Sequence, residues 1–176
     1  VMVVDADCTA SAHAVDVAAA AVAQHGTPVQ LLNLMHAAPG AGRRHRMLAF
    51  AMLMKNQIRP QGAQRLGAGC HLMGTGMALP WGLVAHAQLA TGHVAEDMKL
   101  GVDLALAGHV TRFVAEAEVA SAFPEQSADA HTQKARWEHG HLATLGEHLP
   151  RLLASAWRQR RWSLLVLALD LMIPPL

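Results

Sequence analysis

The sequence predicts an α/β domain with a mostly parallel sheet, and three observations carry that prediction. Short apolar runs rich in β-branched residues alternate with helical periods along the chain, as expected of strands joined by crossover helices. Turn signals such as His25-Gly26 and Gly108-His109 fall between the runs. The 176 residues suffice for about one ordinary domain. In open sheets of this kind ligands bind outside the carboxyl ends of the strands, so chemistry is expected in the loops that follow them.

Taken in order, Val1 to Val4 reads as a buried parallel strand ending at Asp5-Ala6-Asp7. A helix is predicted from Ser11, a side chain able to cap it, to Gln24, with His25-Gly26 as its stop. Pro28 to Met35 returns to strand, and Arg43 to Ile58 reads as a long helix ended by Pro60. Leu72 to Leu79 is strand-like around Gly74-Thr75-Gly76, and Pro80 to Leu89 suits a short helix. Glu96 to Ala107 predicts a helix, Val110 to Val119 a strand, and the chain from Ala128 onward is helical.

Composition removes several functional classes. A net charge of +1, 4% aromatic residues and no tyrosine offer neither the basic field nor the stacking platforms of a nucleic-acid binder. Cys8 and Cys70 cannot build a disulfide framework and have no zinc-type spacing, so Cys8 reads as a small apolar residue and the chain as cytosol-facing. A hydrophobic fraction of 52% and a mean hydropathy of +0.21 exceed what a typical soluble surface needs, so some apolar surface is expected to meet a membrane or a neighbour. The chain opens at Val1 without a charged leader or cleavage site, as expected of a segment within a larger protein.

The tail differs from the rest. Residues 146–162 include Arg151, Arg158, Arg160 and Arg161 beside Trp157 and Trp162, the mixture a cytoplasmic membrane interface attracts. Residues 163–176 are apolar but fall short of the roughly 20 residues that span a bilayer, and the expectation is an interfacial helix followed by the start of a truncated membrane segment. A C-terminal core helix is the alternative.

Three segments carry candidate chemistry. Asp5 and Asp7, two apart at a strand end, point to one side and offer hard oxygen ligands to Mg²⁺ or Mn²⁺, with positions left for phosphate; a solvated loop is the plain alternative. Glu96-Asp97 opens a helix, where acidic side chains are favoured by the dipole, and one of them can instead serve as a general base. Gln133, Arg136 and Trp137 stand at i, i+3 and i+4 on one helical face, combining an amide, a guanidinium that grips diphosphate oxygens and an indole on which a sugar packs. His139 and His141, among twelve histidines, read as surface or core residues rather than metal ligands.

In this order, Asp-x-Asp after an apolar strand, Gly74-Thr75-Gly76, Glu96-Asp97 and Gln-x-x-Arg-Trp at 133–137 resemble the membrane-associated family 2 glycosyltransferases of the cellulose synthase and hyaluronan synthase type. The resemblance implies a GT-A-like, Rossmann-like nucleotide-sugar-binding domain over residues 1–145. It implies that Asp5 and Asp7 bind the nucleotide sugar and a Mg²⁺ or Mn²⁺ ion, and that Asp97 deprotonates the acceptor hydroxyl. Gln133 and Arg136 would hold the diphosphate, and Gly74, Thr75, Gly76, Glu96 and Trp137 would line the acceptor site. It further implies an inverting transfer from a nucleoside-diphosphate sugar, a UDP-sugar by preference, to a saccharide or lipid acceptor, at the cell membrane with the catalytic domain facing the cytoplasm. The family places its first strands, and an Asp that contacts the base, before the Asp-x-Asp; the chain is therefore expected to lack the N-terminal part of the domain and to be inactive alone. Two rival readings remain. The opening Val3-Val4-Asp5-Ala6-Asp7-Cys8-Thr9 is similar to haloacid-dehalogenase-like phosphatases, although no later Gly-Asp-x-x-x-Asp accompanies it. A non-catalytic membrane-interaction fragment is the other.

Overall fold

The computed structural model describes residues 1–85, 96–123 and 127–173, the stretch 127–138 as backbone only. Its centre is the pair β3 (Val29–His36) and β5 (Arg112–Ala122), which run parallel. The first residues of β3 are buried on both faces: Val29 and Leu31 pack with Ala14 and Ala18 of helix α1 (Ala14–His25), while Leu32 joins Cys70 and Phe113; β5 buries Phe113, Ala117 and Val119 between exposed and half-buried positions. The register jumps from Leu31 opposite Val114 to Leu32 opposite Glu118, so residues 115–117 bulge and bend the carboxyl half of β5.

The sheet is mixed rather than mostly parallel. Strands β1 (Met2–Val3), β2 (Thr9–Ala10) and β4 (Met77–Ala78) all pair antiparallel, in the order β1-β4-β3-β5-β2. The direction of β1 is set by its partner β4, more than seventy residues on, and that of β2 by β5, so neither edge pairing is fixed by the chain next to it. Nor is the first run buried as predicted. It forms an edge strand of the described sheet, with Val1, Val3 and Val4 exposed.

Helix α1 stops as predicted, with Gly26 in the left-handed conformation and its N–H donating to the Val22 carbonyl. Its start differs. His13 occupies the cap position, and the Ser11 hydroxyl accepts from the Glu118 N–H at 3.2 Å, tying the helix entry to β5 instead. The helix predicted over 43–58 also runs on. It consists of α2 (Arg43–Leu53), a π-helical turn (Met54–Ile58) and α3 (Arg59–Arg65). Pro60 does not end it, because it falls in the first turn of α3, where its missing N–H costs little. The α-ladder cannot pass unchanged, since the Asn56 carbonyl would need a donor at position 60; the wider π turn resolves this, with the Arg59 N–H donating to the Met54 carbonyl.

Only Met77–Ala78 of the predicted strand 72–79 is a ladder. Helix α4 (Trp81–Val84) opens the helix predicted over 80–89, of which residues 86–89 lie outside the described residues. Helix α5 (Glu96–Leu106) matches its prediction closely, and α6 runs from Ser127 to Gln159 without a break at 145/146.

A second core lies among the last three helices. Helix α7 (Trp162–Leu171) buries Leu164, Leu167, Ala168 and Leu171 against Val102 and Ala105 of α5 and Leu152 of α6. The apolar run expected to begin a membrane segment is thus a ten-residue helix with one face in a core. Among the described residues no helix is long and apolar enough to cross a membrane.

Candidate active site

A cavity of about 370 Å³ opens where the carboxyl ends of the central strands meet the second core. Met35 of β3 and Ser121 of β5 stand on its wall, in agreement with the strand-end position expected from the sequence. Asp5, Asp7 and Asp97 all line it, although they come from the loop after β1 and from the first turn of α5.

Hydrogen bonds from the sheet hold these loops in place. Gln30, fully buried on β3, donates from Nε2 to the Thr75 carbonyl at 2.8 Å and accepts from the Met73 N–H at 2.9 Å through Oε1. Thr75 Oγ1 in turn accepts from the Asp5 N–H at 3.1 Å. One buried amide therefore sets the Gly74-Thr75-Gly76 loop, and that loop sets the first aspartate. Gly74 has φ +83°, and a Cβ there would stand 3.4 Å from Asp97 Oδ2; glycine supplies the left-handed turn and lets the backbone lie beside the carboxylate. At Gly76, φ +67°, a Cβ would press to 3.1 Å from Val119 Cγ2.

Asp97 is partly buried, and burial is the main influence on its carboxyl. The result is a pKa above the ordinary range, although the backbone N–H groups of Met98 and Asp97 itself, and the ammonium of Lys55, pull the other way. Asp5 adds a smaller upward push. A carboxylate made more basic by burial is suited to accept a proton.

Asp5 and Asp7 are exposed, and with Cys8 they form a group whose ligand atoms lie within 4.8 Å of one another. Two carboxylate oxygens in that arrangement fit a hard divalent cation, whereas the thiol suits softer metals; Cys8 Sγ stands 3.7 Å from Asp7 Oδ1. Cys8 is only partly buried and packs against the sheet core, so its apolar side is as expected while its sulfur faces the acidic loop.

The remaining predicted residues divide in two. Glu96 lies beside Asp97 at the start of α5 and is exposed. Gln133, Arg136 and Trp137 fall on the backbone of α6, and their side chains lie outside the described residues.

Sequence reading missed the other half of the cavity. Lys55 and Asn56 on the π turn, Arg59, His71, His141 and Asp170 also line it. Arg59 grips Asp170 through Nε at 3.1 Å and Nη2 at 2.6 Å, and His71 Nε2 lies 3.1 Å from the Leu167 carbonyl. Burial lowers the pKa of both Lys55 and His71. The sequence held two signals for this wall: a single aspartate inside an apolar run, and a proline that an uninterrupted helix could not accommodate. His139 is exposed, as expected of a surface histidine, while His141 is buried and faces the cavity.

An α/β domain with a mixed sheet, helices over the sheet and four aspartates, Asp5, Asp7, Asp97 and Asp170, on one strand-end cavity is consistent with a GT-A-like domain. The chain matches the model of Glycosyl transferase family group 2 over residues 1–175, and it belongs to that family. It is a transferase of glycosyl groups, so a nucleotide-sugar donor and an acceptor are its substrates in kind. No curated protein matches the chain.

Proposed function

We propose that this domain carries out an inverting, divalent-metal-dependent transfer of a sugar from a nucleoside-diphosphate sugar, a UDP-sugar in the first instance, to a saccharide or lipid acceptor. The observation that carries the reading is the convergence of Asp5, Asp7 and Asp97 on one cavity, beside a glycine turn whose backbone lies against the Asp97 carboxylate. The acceptor oxygen attacks the anomeric carbon as the bond from that carbon to the diphosphate oxygen breaks, and the acceptor proton passes to the Asp97 carboxylate. Attack from the face opposite the leaving group turns an α-linked donor into a β-linked product.

Asp5 and Asp7 would hold Mg²⁺ or Mn²⁺, which when bound neutralises charge on the departing nucleoside diphosphate. In the same reading Gln133 and Arg136 hold the diphosphate, and Glu96 and Trp137 line the acceptor site with Gly74 to Gly76. Isothermal titration of Mn²⁺ with and without UDP tests it. Metal binding strengthened by UDP and lost in Asp7→Asn is the expected result; a folded protein that binds neither would sink the metal-diphosphate reading.

The same proposal seats the domain at the cytoplasmic face of a cell membrane. Its support is the surface around the α6–α7 joint, where Trp157 and Trp162 are 88% and 58% exposed beside the exposed Arg158 and Arg160. Co-sedimentation with phosphatidylglycerol vesicles should fall several-fold in Trp157→Ala/Arg158→Ala/Arg160→Ala. Equal sedimentation of the variant and the parent would remove this surface from the proposal.

A further inference from the structure

The basic wall of the cavity holds three polar groups that the transfer just described leaves without a task. Asn56 is 2% exposed; its Nδ2 donates to the Asn33 carbonyl at 2.9 Å, yet its Oδ1 has no partner among the described residues. His141 is 7% exposed, and its Nε2 is likewise unpartnered among the described residues. Lys55 is partly buried, and no hydrogen bond or ion pair with a described residue reaches its ammonium. Buried polar atoms are nearly always satisfied, so a group of them facing one cavity points to a ligand that supplies the missing partners. Lys55 and Asn56 sit together on the π turn, a departure from regular helix that recurs at functional sites.

Charge decides what kind of ligand. The charged groups acting on Lys55 are Arg59, Asp97 and Asp170, so the ammonium is within electrostatic reach of the carboxylate at the cavity as well as of the Arg59–Asp170 pair. Arg59 and Asp170 already satisfy one another. Asp97 loses its negative charge when it takes the acceptor proton. The lysine, which has no hydrogen-bonded counter-ion among the described residues, is left the unbalanced charge of this wall as the reaction proceeds, and an anionic group on the acceptor would pair with it directly from the moment it binds. Beside it, Asn56 Oδ1 can accept from a hydroxyl, and His141 Nε2 can pair with a second one.

We infer that Lys55, Asn56 and His141 form an acceptor-side subsite for a hydroxylated oxyanion, either a sugar acid or a sugar phosphate. The inference rests on the proposed role of Asp97 in taking the acceptor proton. It adds a selectivity: an acceptor bearing a carboxylate or phosphate is preferred to its neutral counterpart, because the anion supplies the direct hydrogen-bonded partner that no described residue gives the ammonium.

Equilibrium titration of the whole chain tests it with three probes: methyl β-glucuronide, glucose 1-phosphate and the neutral methyl β-glucoside. At least one acidic probe should bind about tenfold more tightly than the glucoside, and whichever is tighter tells carboxylate from phosphate. Lys55→Met should bring the acidic probes down to the neutral one, and Lys55→Arg should keep most of the preference. His141→Phe should weaken all three, which provides a second variant that leaves the charge in place. Asp7→Asn should lose the combined binding of Mn²⁺ and UDP while leaving the acidic preference intact, so the subsite and the donor-site reading fail separately. The inference is overturned if the three probes bind alike, if Lys55→Met leaves the preference unchanged, or if that variant weakens UDP by the same factor, which would assign the lysine to the donor diphosphate.

Discussion

Asp97→Asn is expected to lower glycosyl transfer by about 10²–10⁴-fold, the usual worth of a positioned general base. Asparagine keeps the shape of the side chain beside Gly74 but cannot take a proton, so donor binding at Asp5 and Asp7 should survive the change. The acid limb of the pH profile carries the same information. Burial holds the Asp97 carboxyl above the usual range, and only its ionised form is a base. The rate should therefore rise with pH through an apparent pKa higher than that of an exposed aspartate and level off above it. Stability runs the other way: a carboxyl whose folded-state pKa is raised contributes stability that is full below its unfolded pKa and lost as pH rises through the folded value. Asp97→Asn should thus raise the Tm at neutral pH while abolishing the acid limb. A variant that transfers at the parent rate would remove Asp97 from the mechanism. A lower Tm at neutral pH would show that its carboxylate is a structural partner instead.

Leu164→Ala should cost about 2–5 kcal/mol in urea unfolding, the range for truncating a fully buried leucine. Leu164 is wholly inaccessible, packed with Val102, Leu152 and Leu167 where α5, α6 and α7 meet. Leu169 on the same helix is 52% exposed, and its truncation should stay within about 0.5 kcal/mol. The contrast tests the C-terminal run directly. A lipid-facing helix would tolerate both changes in water to a similar degree, whereas a core helix separates them. Because α7 also carries Asp170, held by Arg59 on the cavity wall, loosening the helix should weaken the site along with the fold. A cost below about 1 kcal/mol for Leu164→Ala would show that this core does not hold the domain together.

The helices and the central strands were readable because their signals are local. The periodicity of 96–107 and the glycine after His25 act within a few residues, and both survive in the fold. Asp5, Asp7 and Asp97 were readable for a related reason: acidic pairs at a strand end and at a helix start carry their chemistry in adjacent residues. What could not be read depended on distant partners. Whether Val1 to Val4 pairs parallel or antiparallel is settled by β4, more than seventy residues on. Ser11 looked like a cap, yet its hydroxyl is taken by Glu118.

By itself the sequence determined the α/β class, most of the elements in their order and the family, and it singled out Asp5, Asp7 and Asp97 as candidates, since strand and helix periods and short motifs act over a few residues; the two-residue strand Thr9–Ala10 escaped it. The tertiary structure alone decided that the sheet is mixed, that the C-terminal apolar run has a face in a core, and that the acidic loop faces a basic wall of Lys55, Arg59, His71 and His141. Asp170 shows why. In sequence it is a lone charge in an apolar helix; in the fold Arg59, 111 residues away, supplies the two hydrogen bonds that make its partial burial tolerable.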